Sequence, residues 1–166
     1  DLLAPAGILL RNDASVREME QLPLYTRVAH GEVPGLVELE ENRVHFRVAA
    51  ASGQKTGWFY DHRMSRRRVA ELARGQRVLD VFSYAGGWGV QAAVAGARAV
   101  TCIDSSQPAL ALAAQNAALN GVAGPMDFRC GNAVDELQAL ARAGERYELV
   151  VLDPPAFIKR RRDQRS

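Results

Sequence analysis

The chain has 166 residues, of which 48% are hydrophobic and 24% charged, a composition typical of a folded globular protein rather than a disordered one. Its formal net charge of +2 is too small to indicate nucleic-acid binding by itself. No apolar run approaches the roughly 18 residues that a membrane-spanning helix requires. The two cysteines and three scattered histidines lack metal-ligand spacing. We therefore expect a cytoplasmic protein with no membrane contact and no metal.

The first 52 residues predict a small α+β module built on a hairpin. Its expected elements are a strand, a short helix and two hairpin strands, over residues 7–11, 13–22, 36–40 and 44–48. Pro23 would end the helix, because proline cannot continue one. Apolar and polar side chains alternate along the last strand, and the hairpin is predicted to turn near Glu41 and Asn42.

Residues 53–166 are predicted to form a second domain, in which strands and helices alternate. A helix over residues 61–74 precedes this pattern. The strands are expected over residues 77–81, 99–103, 126–130 and 148–152, and the helices over residues 87–95, 108–119 and 133–143. Such alternation predicts an α/β, Rossmann-like parallel sheet with helices on both faces. The pattern stops after the fourth strand, so we expect a truncated sheet whose later strands belong to a longer protein.

A glycine-bearing loop joins the first of these strands, which contains Asp80, to an alanine-rich helix. Gly86 and Gly87 allow the backbone to approach a ligand, and this loop predicts a nucleotide-sized pocket at the end of the strand. Residues 87–92 also fit the G-x-G-x-x-A dinucleotide pattern, which leaves an oxidoreductase as an alternative. However, the glycines come late, and the carboxylate of Asp80 suits an ammonium better than a pyrophosphate. The methionine part of S-adenosylmethionine carries such an ammonium.

The next two strands are also followed by polar residues. Asp104 could accept hydrogen bonds from both hydroxyl groups of a ribose. Asn132 could meet the amino edge of an adenine. Each residue has a structural alternative, because aspartate and asparagine are preferred caps at the start of a helix.

Residues 153–157, with the sequence Asp-Pro-Pro-Ala-Phe, form the most specific short motif of the chain. The two prolines fix an extended turn after the fourth strand, so that Asp153 and Pro154 present a carboxylate and a rigid carbonyl to the pocket. These acceptors could hold an exocyclic amine or orient a planar base, on which Phe157 could stack. The alternative is a rigid strand exit without a ligand.

Residues 53–63 are aromatic, polar and glycine-rich, which is unusual for a plain linker. Phe59 and Tyr60 could form a wall of a cofactor pocket, while Asp61 and Arg63 could supply polar contacts. An ordered connection between the two domains is the alternative interpretation.

Two basic clusters, at residues 66–68 and 159–162, would suit a polyanionic substrate if they lie near this pocket. Ordinary solvated surface is the alternative for both clusters. Cys102 and Cys130 are expected in the core rather than at a reactive site.

Residues 53–63, 80–87 and 153–157 together resemble the class I S-adenosylmethionine-dependent methyltransferases. More narrowly, they resemble the bacterial large-subunit ribosomal RNA methyltransferases that modify carbon-5 of cytosine. The resemblance covers nearly the whole chain and implies S-adenosyl-L-methionine as cofactor and ribosomal RNA as partner. It implies a catalytic position for Asp153 and Pro154, and cofactor contacts from Phe59, Asp61, Arg63, Asp80, Ser83, Gly86, Gly87, Asp104 and Asn132.

The resemblance leaves the methylated atom open. Carbon-5 of cytosine is a poor nucleophile, and such enzymes usually activate the base by adding a thiolate to carbon-6. No cysteine follows the fourth strand, so we expect the thiol beyond Ser166 or a reaction on nitrogen. Asn132 also stands where the family more often has aspartate. A homodimer, the activity of this chain alone and a non-catalytic RNA-binding role are left open as well.

Overall fold

The computed structural model describes residues 3–53 and 57–155. In chain order the elements are β1 (Gly7–Asn12), α1 (Val16–Met19), β2 (Tyr25–Gly31), β3 (Val37–Glu41), β4 (Val44–Val48), a 3-10 turn (Tyr60–His62), α2 (Arg63–Leu72), β5 (Arg77–Val81), α3 (Gly87–Val94), β6 (Ala99–Asp104), α4 (Gln107–Leu119), β7 (Met126–Cys130), α5 (Ala133–Arg142) and β8 (Leu149–Leu152). Within these ranges no helix is long and apolar enough to cross a membrane.

The central sheet has four strands in the order β7-β6-β5-β8, and all three pairings are parallel. Successive side chains of a strand face opposite sides of a sheet. Val78 of β5 accordingly packs in a cluster with residues of α3 and α4, whereas its neighbour Leu79 packs with Leu140 of α5. Helices therefore cover both faces, which confirms the predicted Rossmann-like α/β arrangement.

The β3–β4 hairpin packs against the helices that follow it in the sequence. Its strands are joined by Asn42 and Arg43, whose φ angles of 54° and 66° are those of the two-residue turn that matches strand twist. Phe46 of β4 is fully buried, in a cluster that includes Val90 of α3 and Ala117 of α4. The proposed domain boundary after residue 52 stays a prediction, and this hairpin contributes directly to the core.

The front module differs from the prediction in two elements. The helix expected over residues 13–22 is only the four-residue α1, because Gln21 has a φ of 57° and leaves the helical conformation. Strand β2 was missed, although it pairs with β1 in an antiparallel ribbon. Its side chains are almost all exposed, and the alternation of apolar and polar residues that indicates a strand is therefore weak.

The two cysteines have different environments, which corrects half of one prediction. Cys102 in β6 is buried, as expected, whereas Cys130 is exposed. Within the described part of the chain, β7 pairs with β6 alone, and Cys130 is its last residue. A side chain at the end of an outer strand has fewer neighbours to cover it.

Candidate functional site

A cavity of about 450 Å³ lies where the carboxyl ends of β5, β6 and β8 meet. This volume falls in the range of small-molecule and cofactor sites. The walls come from the segment before α2, from α2 and α3, and from the three strand exits, through Trp58, Phe59, His62, Arg66, Phe82, Ser83, Tyr84, Gly87, Trp88, Asp104, Ser105, Asp153, Pro154 and Pro155.

The loop after β5 is held in an unusual backbone conformation. Phe82 and Tyr84 have φ angles of 65° and 48°, in the left-handed region that costs a non-glycine residue about 1–3 kcal/mol. The backbone N–H of Ser83 donates to the Ile103 carbonyl at 3.0 Å, and that of Gly86 donates to the Ser83 carbonyl at 2.8 Å. These bonds to β6 and within the loop fix its shape.

Asp104 connects this loop to the start of α4. Its Oδ2 accepts the backbone N–H of Tyr84 at 2.8 Å, and its Oδ1 accepts that of Ser106 at 2.9 Å. The capping residue of α4 is Ser106, whose hydroxyl accepts the N–H of Ala109 at 3.3 Å. Asp104 lines the cavity, and each carboxylate oxygen has a further lone pair for a ligand hydroxyl.

Asp80 lies behind the cavity wall, fully buried in β5. Its Oδ2 accepts the N–H of Gly89 at 2.9 Å, and its Oδ1 has no partner among the described residues. Burial raises the pKa of Asp80 to about 7, and the negative charge of Asp153 adds to this increase while the Gly89 hydrogen bond opposes it. The carboxyl group is thus poised between its two protonation states near neutral pH.

Gly89 is required by the packing of α3 on the sheet. A Cβ atom there would lie 2.6 Å from Sγ of Cys102 and 3.1 Å from Oδ2 of Asp80. The second glycine of a dinucleotide fingerprint instead lets the backbone approach a pyrophosphate. Gly89 therefore fits the G-x-G-x-x-A spacing, but here it allows α3 to pack on the sheet rather than the backbone to approach a pyrophosphate.

Aromatic rings form much of the rim. The rings of Phe59 and Tyr84 meet edge to face, with centroids 6.1 Å apart, and those of His62 and Trp88 lie 5.6 Å apart. Nε2 of His62 is 3.6 Å from Oδ2 of Asp153. Planar rings beside a carboxylate form a surface suited to a flat, partly cationic ligand.

Arg66 is the buried cation of the cavity wall. Its Nη1 donates to Oε1 of Glu41 at 2.9 Å, and its Nη2 donates to the Phe59 carbonyl at 2.9 Å. The guanidinium lies 4.5 Å from the ring centroid of Trp58 and 5.6 Å from that of Trp88. Through Glu41, at the end of β3, this residue links the hairpin to the cavity.

The basic cluster at residues 66–68 is therefore not one solvated face. Arg66 is buried, while Arg67 and Arg68 are exposed and lie 3.3 and 3.1 Å from the carboxylate oxygens of Glu71. The second predicted cluster, at residues 159–162, lies outside the described residues, as do Ala156 and Phe157.

The structure brings together most of the residues predicted from the sequence. Those that line the cavity are Phe59, Ser83, Gly87, Asp104, Asp153 and Pro154. Gly86 lies just before α3 with a φ of 80°, a conformation that glycine adopts readily. Tyr60, expected as a wall, is 65% exposed and is not among the lining residues.

Besides Asp80 and Gly86, three predicted cofactor contacts are not among the residues that line the cavity. Asp61 and Arg63 have exposed side chains. Asn132 is also exposed, and its Oδ1 caps α5 by accepting the N–H of Val134 at 2.9 Å, the structural alternative that the sequence left open. The proposed contacts of these three residues with a cofactor stay predictions.

Sequence reasoning missed several lining residues, chiefly Trp58, His62, Arg66 and Trp88. Trp88 lies between the glycines of the loop motif, and His62 lies inside the aromatic segment before α2. Both positions were visible in motifs already singled out, but nothing in the local pattern indicated which side chains would turn inward.

Among the buried polar atoms near the cavity, two oxygens suit a bound ligand. Oγ of Ser83 and Oδ1 of Asp80 are buried without a partner among the described residues. Native proteins rarely leave such atoms unsatisfied, so each is a candidate for a hydrogen bond to a ligand or to water. Together with Asp104 and the aromatic rim, they fit a molecule that carries a cation, a diol and a planar base.

A model of the S-adenosylmethionine-dependent methyltransferase family matches residues 26–162 of the chain. The chain belongs to this family. Among curated relatives of this methyltransferase, the ribosomal RNA large subunit methyltransferase I of Aeromonas salmonicida is 39% identical over 160 residues, which cover 95% of the chain and 40% of the relative. The protein of the same name from Erwinia tasmaniensis is 36% identical over 151 residues, covering 90% and 38%. The chain thus spans about two fifths of these relatives.

Solved structures agree with this assignment. A protein from Streptococcus mutans, described as an S-adenosylmethionine-dependent methyltransferase, is 28% identical and superposes with a TM-score of 0.73, covering 78% of the chain and 35% of its own. A methyltransferase from Agrobacterium tumefaciens, 23% identical, has a TM-score of 0.76 over 93% of the chain and 48% of its own, and supports the fold. A further methyltransferase, 28% identical with a TM-score of 0.75 over 83% of the chain and 37% of its own, was solved with SAH (S-adenosylhomocysteine). The oxidoreductase alternative is therefore wrong.

Proposed function

We propose that the protein transfers a methyl group from S-adenosylmethionine to a base of large-subunit ribosomal RNA, at carbon-5 of a cytosine, in the cytoplasm. The observation that carries this proposal is the cavity at the strand exits, which gathers Asp104, the loop after β5 and the Asp153-Pro154 pair. The names of the relatives support ribosomal RNA as the substrate.

Different residues of the cavity would bind different parts of the cofactor. Asp104 would accept the ribose hydroxyls, and the rings of Phe59 and Tyr84 would pack against planar parts of the ligand. Asp153 would lie near the positive charge and the incoming base. When bound, the cofactor supplies a methyl group on a positively charged sulfur, which an electron-rich atom of the substrate can attack.

The target atom decides whether the protein also needs a thiol. Cys102 is buried, and burial raises the pKa of its thiol well above the usual value, which disfavours the reactive thiolate. Cys130 is exposed, and neither cysteine is among the lining residues. In the carbon-5 proposal, the attacking cysteine therefore comes from outside the described residues.

Transfer to an exocyclic nitrogen is the second candidate, and the exit of β8 favours it. Asp153 and the carbonyl of Pro154 lie at the cavity and could accept hydrogen bonds from an amino group. This orientation would leave the nitrogen facing the donor without any covalent adduct.

The cofactor part can be tested by calorimetry on the intact protein with S-adenosylhomocysteine. We expect micromolar binding, and we expect Asp104→Ala to weaken it by about 1–3 kcal/mol through loss of the ribose contacts. Asp135→Ala is the matched control, because Asp135 is exposed on α5. Undetectable binding to the wild type, or equal affinity in the Asp104 variant, would contradict the assignment.

The substrate part can be tested by transferring labelled methyl groups to ribosomal RNA and digesting the product to nucleosides. We expect the label in 5-methylcytidine. Label on an exocyclic amine would exclude the carbon-5 reaction, and label in protein would exclude RNA as the substrate. Light scattering on the same sample tests the expectation of a homodimer.

A further inference from the structure

A charged hydrogen-bond donor in the cavity wall lacks an acceptor among the described residues. The side chain of Arg66 is only 4% exposed, and two of its three nitrogens are bonded, Nη1 to Glu41 and Nη2 to the Phe59 carbonyl. The third, Nε, is buried and has no partner among the described residues. Leaving a charged donor buried without an acceptor is unfavourable, so an acceptor is expected.

The position of Nε indicates where that acceptor would lie. A Cβ atom on Gly87 would be 3.1 Å from Nε and 3.1 Å from Cη2 of Trp58, and all three residues line the cavity. The absence of a side chain at Gly87 therefore keeps space beside Nε, at the first residue of α3. The free N–H groups of a helix start also favour a negatively charged group.

The guanidinium is held firmly in this place. Glu41 is itself 3% exposed and accepts further hydrogen bonds from Nε1 of Trp58 at 3.0 Å and Nε2 of Gln91 at 2.9 Å. Its negative charge is thus shared among three donors. Because Arg66 is fixed by this network and by the neighbouring Trp rings, its Nε cannot rotate to find another partner without breaking buried bonds.

We propose that Arg66 binds the carboxylate of the amino-acid end of the cofactor, through its Nε. This inference rests on the proposed cofactor. The carboxylate is the one anionic group of S-adenosylmethionine, and Arg66 is the one arginine or lysine among the described residues that line the cavity. The acidic lining residues, Asp104 and Asp153, would then meet the sugar and the positive charges of the same ligand.

The test compares two ligands that differ in this end alone. S-adenosylhomocysteine carries the amino-acid end, and 5′-methylthioadenosine lacks it while keeping the adenosine and the sulfur. Dissociation constants for both are measured by calorimetry on the intact protein, for the wild type, Arg66→Gln and Arg66→Lys. We expect the Gln variant to bind S-adenosylhomocysteine about 10- to 100-fold more weakly, with less than about a twofold change for 5′-methylthioadenosine.

Arg66→Lys protects the test against a folding defect, because lysine keeps a positive charge for Glu41 but has no N–H at the position of Nε. It should show the same selective loss, of about tenfold. Arg67→Gln is the matched control, since Arg67 is the exposed neighbour on the same helix. It should leave both affinities unchanged.

The outcomes separate the inference from the proposed function. If the wild type binds neither ligand, the proposed cofactor is wrong and the inference falls with it. If the wild type binds both but the Arg66 variants weaken both equally, or neither, only the role of Arg66 is overturned. A loss of RNA affinity with unchanged S-adenosylhomocysteine affinity would assign Nε to a phosphate of the substrate and would likewise overturn the inference.

Discussion

Two ribbons of similar local structure differ sharply in what covers them. The β1–β2 ribbon and the β3–β4 hairpin are both antiparallel pairs. In β4 every second side chain is buried, and Phe46 is 0% exposed, whereas in β2 only Tyr25 is partly covered. An isolated two-stranded ribbon is marginally stable in water at best. The hairpin therefore derives its stability from the helices beneath it, and the ribbon has little such support.

The polar contacts show the same contrast. The hairpin is bonded to α4 through Asn116, whose Oδ1 accepts the N–H of Arg47 at 2.8 Å, and through Glu41 to Arg66. The ribbon is tied to the segment after β4 by Arg11, whose Nη1 donates to the Gly53 carbonyl at 2.6 Å. The hairpin is thus bonded directly to a residue of the cavity wall. The ribbon is instead bonded to the segment after β4, and its connection to the cavity is less direct.

The largest expected effect comes from removing the hairpin side chain that packs against the helices. Phe46→Ala should lower the free energy of unfolding by about 4 kcal/mol, because it leaves a cavity in the core. Val28→Ala in the ribbon is the control, since Val28 is 48% exposed, and it should change stability by less than about 1 kcal/mol. Urea titrations measure both changes. Equal losses would show that the two ribbons are equally integrated.

A second effect depends on pH. Burial raises the pKa of Asp80 to about 7 from the 3.8 of an unburied aspartate, so the folded protein retains a proton that the unfolded chain releases between these values. Its contribution to stability is full below about pH 4 and is lost as the pH rises through 7. Relative to Asp80→Asn, the wild type should lose about 3 kcal/mol between pH 4 and pH 7.

Urea titrations at both pH values measure this difference, and parallel pH profiles for the two proteins would contradict it.

Amide hydrogen exchange compares the local stability of the hairpin with that of the ribbon. The exchange of amides in β3–β4, which share the core with the sheet's helices, should follow the pH dependence of global stability. The residues of β1–β2 belong to none of the buried clusters described. Their amides should therefore show low protection from hydrogen exchange at both pH values.

A smaller effect is expected where the hairpin meets α4. Nδ2 of the buried Asn116 donates to the Ala85 carbonyl at 3.0 Å and to the Arg47 carbonyl at 3.2 Å. Asn116→Ala leaves these groups unsatisfied and should lower stability by about 2 kcal/mol. Asn120→Ala is the matched control, because Asn120 makes similar bonds to His45 at the surface, where water can replace them. Chemical denaturation of both variants measures the two losses of stability. A larger loss of stability for Asn120→Ala would refute this account.

The smallest effect belongs to the exposed face of the hairpin. Arg47 and Glu38 form an ion pair at 2.9 Å, with 44% and 68% of their side chains exposed. Such pairs contribute little, so Glu38→Gln should change stability by less than about 0.5 kcal/mol. Thermal melts at low and high salt check this. A loss above about 1 kcal/mol would mean that the polar face also supports the hairpin.

The buried elements of the fold could be predicted from the sequence, and an exposed one could not. The sheet was predictable because β5 and β6 are short, mostly apolar and buried runs, each preceding a segment with helix-forming residues. Strand β2 was not, because an exposed strand lacks the alternation that marks a half-buried one. Asp104 and Asp153 could be placed at the site because parallel strands end at one edge. Arg66 and Trp88 could not, since their positions depend on how the hairpin and α2 pack on α3.

The strained loop after β5 has a thermodynamic consequence. Phe82 and Tyr84 already hold their left-handed conformations, stabilised by hydrogen bonds to β6. A nucleoside that enters such a site finds little backbone left to order. Ordering of this loop should therefore contribute little to the heat-capacity change of association, and the loop itself should need no coupled folding.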